Sequence, residues 1–348
     1  MRRTTVLTAL LAALLSLAGC GPGARSARER AAPAPVERSE YYLRARFGHD
    51  VRALLYAARF DRLQDLADSL ERQDVRWPSG RSKLAGFYEQ GFAEVDAPGP
   101  AESWERHLAS LREWTDARPN SAVARFALVE GLTGRAWAAR GHGWARTVSQ
   151  DRWRRFGADL EEAGQRLRQC PASQRSGYGW YATSLDVLHG AGPEADSLYR
   201  LVALEAIERF PAQPAFYLDL ANHLLPRWYG LPGEWKAFAD TASAALPDSI
   251  ADEFYARIVL MAAFMGEPVF DPPAADWPRV QRGLDRWIER WPMAFPPRGG
   301  RALLAWMADD RPVATSAFRA LRDTLDSEVW GRRERYWMAR RWVAEARD

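Results

Sequence analysis

The side chains able to do chemistry are few and scattered. Five histidines, His49, His107, His142, His189 and His223, are spread along the chain, and none lies three to five residues from another. A helical metal site needs that spacing, because only such neighbours share a face, so the sequence offers no metal site and no cofactor site. His223 falls among Leu220, Leu224 and Leu225, the setting of a packed, hydrogen-bonded imidazole. The two cysteines are Cys20 and Cys170; the latter stands before Pro171 at a helix end and is expected to be a buried, inert thiol. No G-x-S-x-G elbow, phosphate loop or dinucleotide fingerprint occurs, and Gly141-His142-Gly143 follows a helical stretch rather than a strand. Acidic pairs such as Glu161-Glu162 and Asp309-Asp310 suit solvated helix faces, although carboxylates from distant segments can still meet in space. No catalytic residue is assigned, and the chain is expected to bind rather than to catalyse.

Binding chemistry is better represented. The chain holds 16 tryptophans, and its 48 basic residues include only two lysines, Lys83 and Lys236. Tryptophan and arginine are the residues that most often anchor protein interfaces. Trp144, Trp180, Trp228 and Trp235 sit near glycine- or proline-marked turns and, with Arg227, are the candidate partner-binding residues. Trp77, Trp104, Trp114, Trp137, Trp153, Trp287 and Trp291 lie on or beside helical stripes and are expected to fill the core. A net charge of +3 on 348 residues gives no case for nucleic-acid binding.

The elements that must position these residues are helices. From Tyr41 onward apolar residues recur with helical period: Trp153, Phe156, Leu160, Ala163 and Leu167 share a face, as do Val280, Leu284, Trp287 and Trp291. Amphipathic stretches run into Pro78, Pro119, Pro171, Pro211, Pro247 and Pro292, at intervals of roughly 40 residues. Proline cannot continue a helix and drives its predecessor towards extended geometry, so each marks a stop. Ser79, Ser121, Ser173 and Ser249 follow closely as N-cap candidates, and Ser249 to Asp252 has capping-box spacing. One hairpin cannot bury its own apolar face. Stacked hairpins can, so the fold expected is all-α, an α/α superhelix of stacked helical hairpins of the tetratricopeptide type. The basic, aromatic segment Trp330 to Trp342 is expected to cap its end, the alternative being a helix lying on an anionic membrane surface.

Two stretches carry a resemblance. Ala136-Trp137-Ala138-Ala139-Arg140-Gly141-His142-Gly143 resembles the A-W-x-x-R-G-x-G segment of a bacterial family of unknown function with tetratricopeptide-like helices. Leu225-Pro226-Arg227-Trp228-Tyr229-Gly230 is similar to that family's L-P-R-W-G-G, with Tyr229 where a glycine is usual. The resemblance implies an α-superhelix over roughly residues 45–310 and brings no known activity.

The N-terminus supplies an address. Met1-Arg2-Arg3 precedes an apolar run, Val6 to Leu17, too short to span a bilayer as a permanent helix and suited to a cleavable signal. Leu17-Ala18-Gly19-Cys20 resembles the lipobox of bacterial lipoproteins, which implies cleavage before Cys20 and lipid on that residue. Several acyl chains anchor stably where one would not. Gly21 tilts the expected address to the outer membrane, facing the periplasm. The organisation expected is a signal over 1–19, Cys20 and a flexible tether over 20–40, and a helical domain over 41–348. The function expected is a lipid-anchored envelope scaffold binding a protein or peptide partner. The rival is a glycan-binding or glycan-cleaving α/α toroid, whose mark would be two carboxylates in an aromatic pocket.

Overall fold

The computed structural model describes residues 36–94, 101–141, 143 and 145–345, so the signal, Cys20, Gly21, most of the tether and Trp144 lie outside the described residues. Within the unit that begins at Glu37, the described chain forms sixteen helices. Helix α1 (Tyr41–Tyr56), α2 (Phe60–Arg72) and α3 (Lys83–Tyr88, continued by a π turn at Glu89–Ala93) open the array. Five hairpins follow. They pair α4 (Ala101–Ala117) with α5 (Ala122–Arg140), α6 (Gln150–Arg168) with α7 (Tyr178–Ala191), and α8 (Asp196–Arg209) with α9 (Pro214–His223). The last two pair α10 (Glu234–Ala244) with α11 (Asp248–Phe264) and α12 (Trp277–Arg290) with α13 (Pro296–Met307). Helices α14 (Arg311–Leu321), α15 (Ser327–Trp330) and α16 (Arg333–Ala344) complete it. Strand-like pairing is confined to short contacts, such as Arg38 N–H donating to the Leu325 carbonyl at 2.8 Å. The fold is all-α, an α/α superhelix of hairpins.

The proline stops divide the helices into two layers. Helices α4, α6, α8, α10 and α12 each end two or three residues before a proline, and each is the covering member of its hairpin. In α6 only Phe156, Asp159, Leu160, Ala163 and Leu167 are buried, a single stripe. The partner helices are buried on several sides: α5 from Ala124 through Ala136, and α11 continuously from Glu253 to Leu260. An apolar side chain in that layer gains about 1.5–3 kcal/mol on burial, which is why an all-round apolar helix must lie inside. Trp77, Trp114, Trp287 and Trp330 are fully inside, and one contiguous core runs from Val51 to Ala339. Cys170 is buried with its thiol pushed up by burial.

Not every proposed cap is a cap. Ser121 accepts from Ala124 N–H at 3.0 Å, as expected of an N-cap. Helix α11 instead starts at Asp248 without a side-chain cap, and Asp252 turns away from Ser249 to pair with Arg279 at 2.8 Å and Arg282 at 3.0 Å. Ser79 is buried in the loop before α3, where its carbonyl accepts from Arg257 Nη2 at 2.7 Å and Trp287 Nε1 at 2.9 Å. Glu40 takes the Ser79 N–H and hydroxyl, each at 2.8 Å, and Ser39 donates to Glu328 at 2.8 Å. Arg44 pairs with Glu328 as well. The first helices therefore meet the last ones, and the superhelix curls back on itself.

Candidate functional site

A groove opens where α5, α6 and α7 approach the turn after α9. Its cavity volume is about 1510 Å³, with Leu160, Leu167, Val187 and Leu188 among the lining residues. At one end Arg140 lies within 5.3 Å of the Trp137 ring, 5.5 Å of Trp153 and 6.0 Å of Trp228. Three indoles around a guanidinium form a cation cage already filled by the chain's own residue. Arg140 also donates to the Gly141 carbonyl at 3.0 Å, where φ of 71° ends α5. The two stretches that resemble one family, Ala136 to Gly143 and Leu225 to Gly230, thus meet at this cage although they are far apart in sequence.

Of the sequence-predicted residues, Trp180, Arg227 and Trp228 line this one groove, while Trp144 is outside the described residues. Trp235 is a correction: at the start of α10 it is only 4% exposed, part of the core. Trp137 and Trp153 correct the expectation in the other direction. They line the groove, and Trp153 is 37% exposed because its position in the first turn of α6 lies beyond the neighbouring helix that covers Phe156 and Leu160.

The groove is positively charged. Arg140, Arg175, Arg227 and Arg332 line it and have no carboxylate ion-pair partner among the described residues. Arg175 spends its donors on the Cys170 and Arg168 carbonyls at 2.9 and 3.0 Å, and Arg227 contacts Met265 Sδ. Glu267 is held above the usual carboxylate range by burial, with Arg227 acting against the rise.

Histidines with no sequence spacing in common come together on the groove wall. His189 Nδ1 is 3.1 Å from His223 Nδ1, and His223 Nε2 is 2.9 Å from Asp196 Oδ1. Tyr199 stacks on His223 at 3.6 Å, and the Tyr229 hydroxyl donates to the His189 carbonyl at 2.9 Å. The reading of His223 as a packed imidazole agrees with its complete burial, but its link to a groove residue had no local signal, since α7 and α9 supply one ring each. His107 is a purely internal staple, joining Tyr56 Oη and the Phe92 carbonyl, each at 3.0 Å.

A second polar centre gathers acidic side chains from α5, α7 and α9 around Glu130. Buried Glu130 of α5 lies beside Asp186 of α7, whose side chain reaches solvent, with Glu89 and Asp219 close enough to act on them. Crowding by the surrounding protein, then the charge of Glu89, raises Asp186 to about 7 although its side chain reaches solvent, and burial with its acidic neighbours raises Glu130 and Asp219. Arg81 is the cation of this centre, 3.4 Å from Glu89. A carboxyl whose folded pKa exceeds its unfolded value contributes stability below the unfolded value and loses it as pH rises through about 7. Asp186→Asn is therefore expected to raise the melting temperature at pH 8 and to lose that advantage by pH 5. A shift that is equal at both pH values would refute the raised pKa of Asp186.

Among the described residues no group of His, Cys, Asp and Glu is placed to hold a metal, and no helix is long and apolar enough to cross a membrane. Residues 48–185 match the family model described as a domain of unknown function (DUF4034). No curated protein and no solved structure matches the chain. The matched segment carries Trp137, Arg140, Trp153 and Trp180, while His189, His223, Arg227 and Trp228 complete the groove from beyond it.

Proposed function

We propose that this chain is a lipid-anchored interaction protein of the cell envelope that holds an acidic, apolar segment of a protein partner in the tryptophan–arginine groove. The observation that carries the reading is the groove itself: an apolar floor, indoles at one end, and four arginines without carboxylate partners. Only Glu161, which pairs with Arg168 at 2.8 Å, and Glu267 supply opposing charge. Acidic side chains of a partner would take the free guanidinium donors, and charge-assisted bonds of that kind are about twice as strong as neutral ones. The L-A-G-C sequence ending at Cys20 supports the anchor, and Gly21 favours the outer membrane facing the periplasm. The rival, a glycan-active toroid, draws support from the Glu130–Asp186 pair. That pair, however, is in hydrogen-bond contact, closer than the roughly 5–9.5 Å that glycoside cleavage requires.

Affinity capture from envelope fractions tests the reading with the intact chain and an Arg227→Glu/Arg332→Glu variant. Captured protein should fall at least tenfold with the variant, because two cations become anions on the groove. Equal capture by both chains overturns the groove as the partner site. Groove-dependent capture of an anionic polysaccharide in place of a protein moves the assignment to the rival. Cys20→Ser should release the chain from membranes, and continued sedimentation with them refutes the anchor.

A further inference from the structure

The groove wall holds polar atoms that the fold leaves unpaired. Trp228 Nε1 and Ser184 Oγ are sealed from bulk water without a hydrogen-bond partner, and both residues line the groove. His189 lines it too, and its Nε2 has no partner among the described residues.

The state of that nitrogen follows from the chain of contacts behind it. Asp196 accepts from Arg200 Nε at 2.8 and 2.9 Å, and the hydrogen bonds from Arg200 and His223 outweigh burial to hold its carboxyl below the ordinary range. An ionised carboxylate only accepts, so His223 Nε2, 2.9 Å away, carries the proton. A neutral imidazole has one N–H, which leaves His223 Nδ1 as a lone pair. The 3.1 Å contact then obliges His189 Nδ1 to donate, and His189 Nε2 turns a lone pair to the groove. Neutrality has its own causes. Burial, then His223 and Arg140, lower His189 to about 3, and burial lowers His223 although Asp196 opposes it. The charged groups facing the pair are Asp196, Arg200 and Glu234 on one side and Arg140 on the other.

The lone pair is set among rings. Trp228 is 4.5 Å from the His189 ring in a T-shaped arrangement, Trp137 is 5.9 Å away and Tyr229 is 5.8 Å away. A ring with a donor on its edge matches both the lone pair and the rings around it. Water could satisfy the acceptor but gains nothing from the aromatic walls. We propose that the groove binds a tryptophan or tyrosine side chain of the acidic partner segment, with its ring N–H or O–H donated to His189 Nε2. This rests on the reading of the groove as a partner site and names the partner's anchor residue.

The test uses the full chain carrying Cys20→Ser, with indole, 1-methylindole, phenol and anisole as probes and nitrogen NMR of labelled histidine as the readout. In the free protein His189 should show the Nδ1–H form and His223 the Nε2–H form. Indole and phenol should shift His189 Nε2 and bind at least fivefold more tightly than their methylated counterparts, which lack the donor. His189→Gln keeps an acceptor and should keep the preference, while His189→Leu should abolish it. A His189 protonated at Nε2 in the free protein, or equal binding of methylated and unmethylated probes, overturns the proposal. Arginine-dependent partner capture without a probe preference would sink the ring assignment alone. A probe preference without arginine-dependent capture would instead sink the partner reading.

Discussion

Replacing Glu253 with leucine is expected to destabilise the protein by about 3–5 kcal/mol, the cost of stranding a buried charge. Glu253 is 1% exposed and accepts from Arg257 Nε at 2.9 Å, and Arg257 is equally buried. Burial lowers Arg257 to about 10, with Glu253 acting against the fall, so the guanidinium remains charged at neutral pH. It stacks 3.7 Å over Trp287 and donates to the Ser79 carbonyl, the contact at which the loop before α3 meets α11 and α12. Without Glu253 the cation keeps only that carbonyl and the indole face. The double change Glu253→Leu/Arg257→Met should recover most of the loss, because an apolar pair of similar volume carries no desolvation cost and Trp287 still satisfies Ser79. Urea unfolding of the two single variants and the double one measures the coupling. Additive losses would show that the pair does not act as a unit.

Gly230→Ala is expected to cost about 2–4 kcal/mol and to disorganise the groove. A Cβ at Gly230 would land on the Leu224 carbonyl and lie 2.7 Å from Leu224 Cα, and backbone cannot rotate aside as a side-chain tip can. The turn must open, breaking the bonds of Tyr229 N–H to the His223 carbonyl and of Gly230 N–H to the Leu225 carbonyl, both at 3.3 Å. Trp228 and Tyr229 ride on that turn, so the cage around Arg140 and the roof over His189 move with it. Gly157→Ala is the control: nothing lies within 4 Å of its Cβ in the interior of α6, so alanine should stabilise by about 0.5–1 kcal/mol. Calorimetry on both variants, with tryptophan emission as the groove readout, decides the matter. A Gly230→Ala protein with native stability and unchanged emission would contradict the close approach.

The comparison of Gly230 with Gly157 shows where sequence reading stops. Gly157 is inside α6 and Gly230 in the turn after α9, but what an added Cβ meets, open groove in the first case and the Leu224 backbone in the second, is set by the neighbour in space. The same holds for the indoles. Trp114 and Trp287 on helical stripes are core, as periodicity requires, yet Trp153 on an equally regular stripe is at the groove rim and Trp235 beside a turn is buried. Periodicity identifies the face of a helix but not what covers each turn of it.

The sequence by itself determined the all-α class, the hairpin rhythm and which helices end at proline, because helical period and the missing proline N–H are properties of a few adjacent residues. It also brought forward Trp180, Arg227 and Trp228, although as separate turn residues rather than as one groove. Only the tertiary structure decided that two distant motif stretches share a tryptophan cage, that Asp196, His223 and His189 form a chain to the groove, and that Ser79 joins the first helices to the later ones. Those pairings depend on how far the superhelix turns per hairpin. That rotation is the sum of many small packing angles, and no local pattern of residue types encodes it.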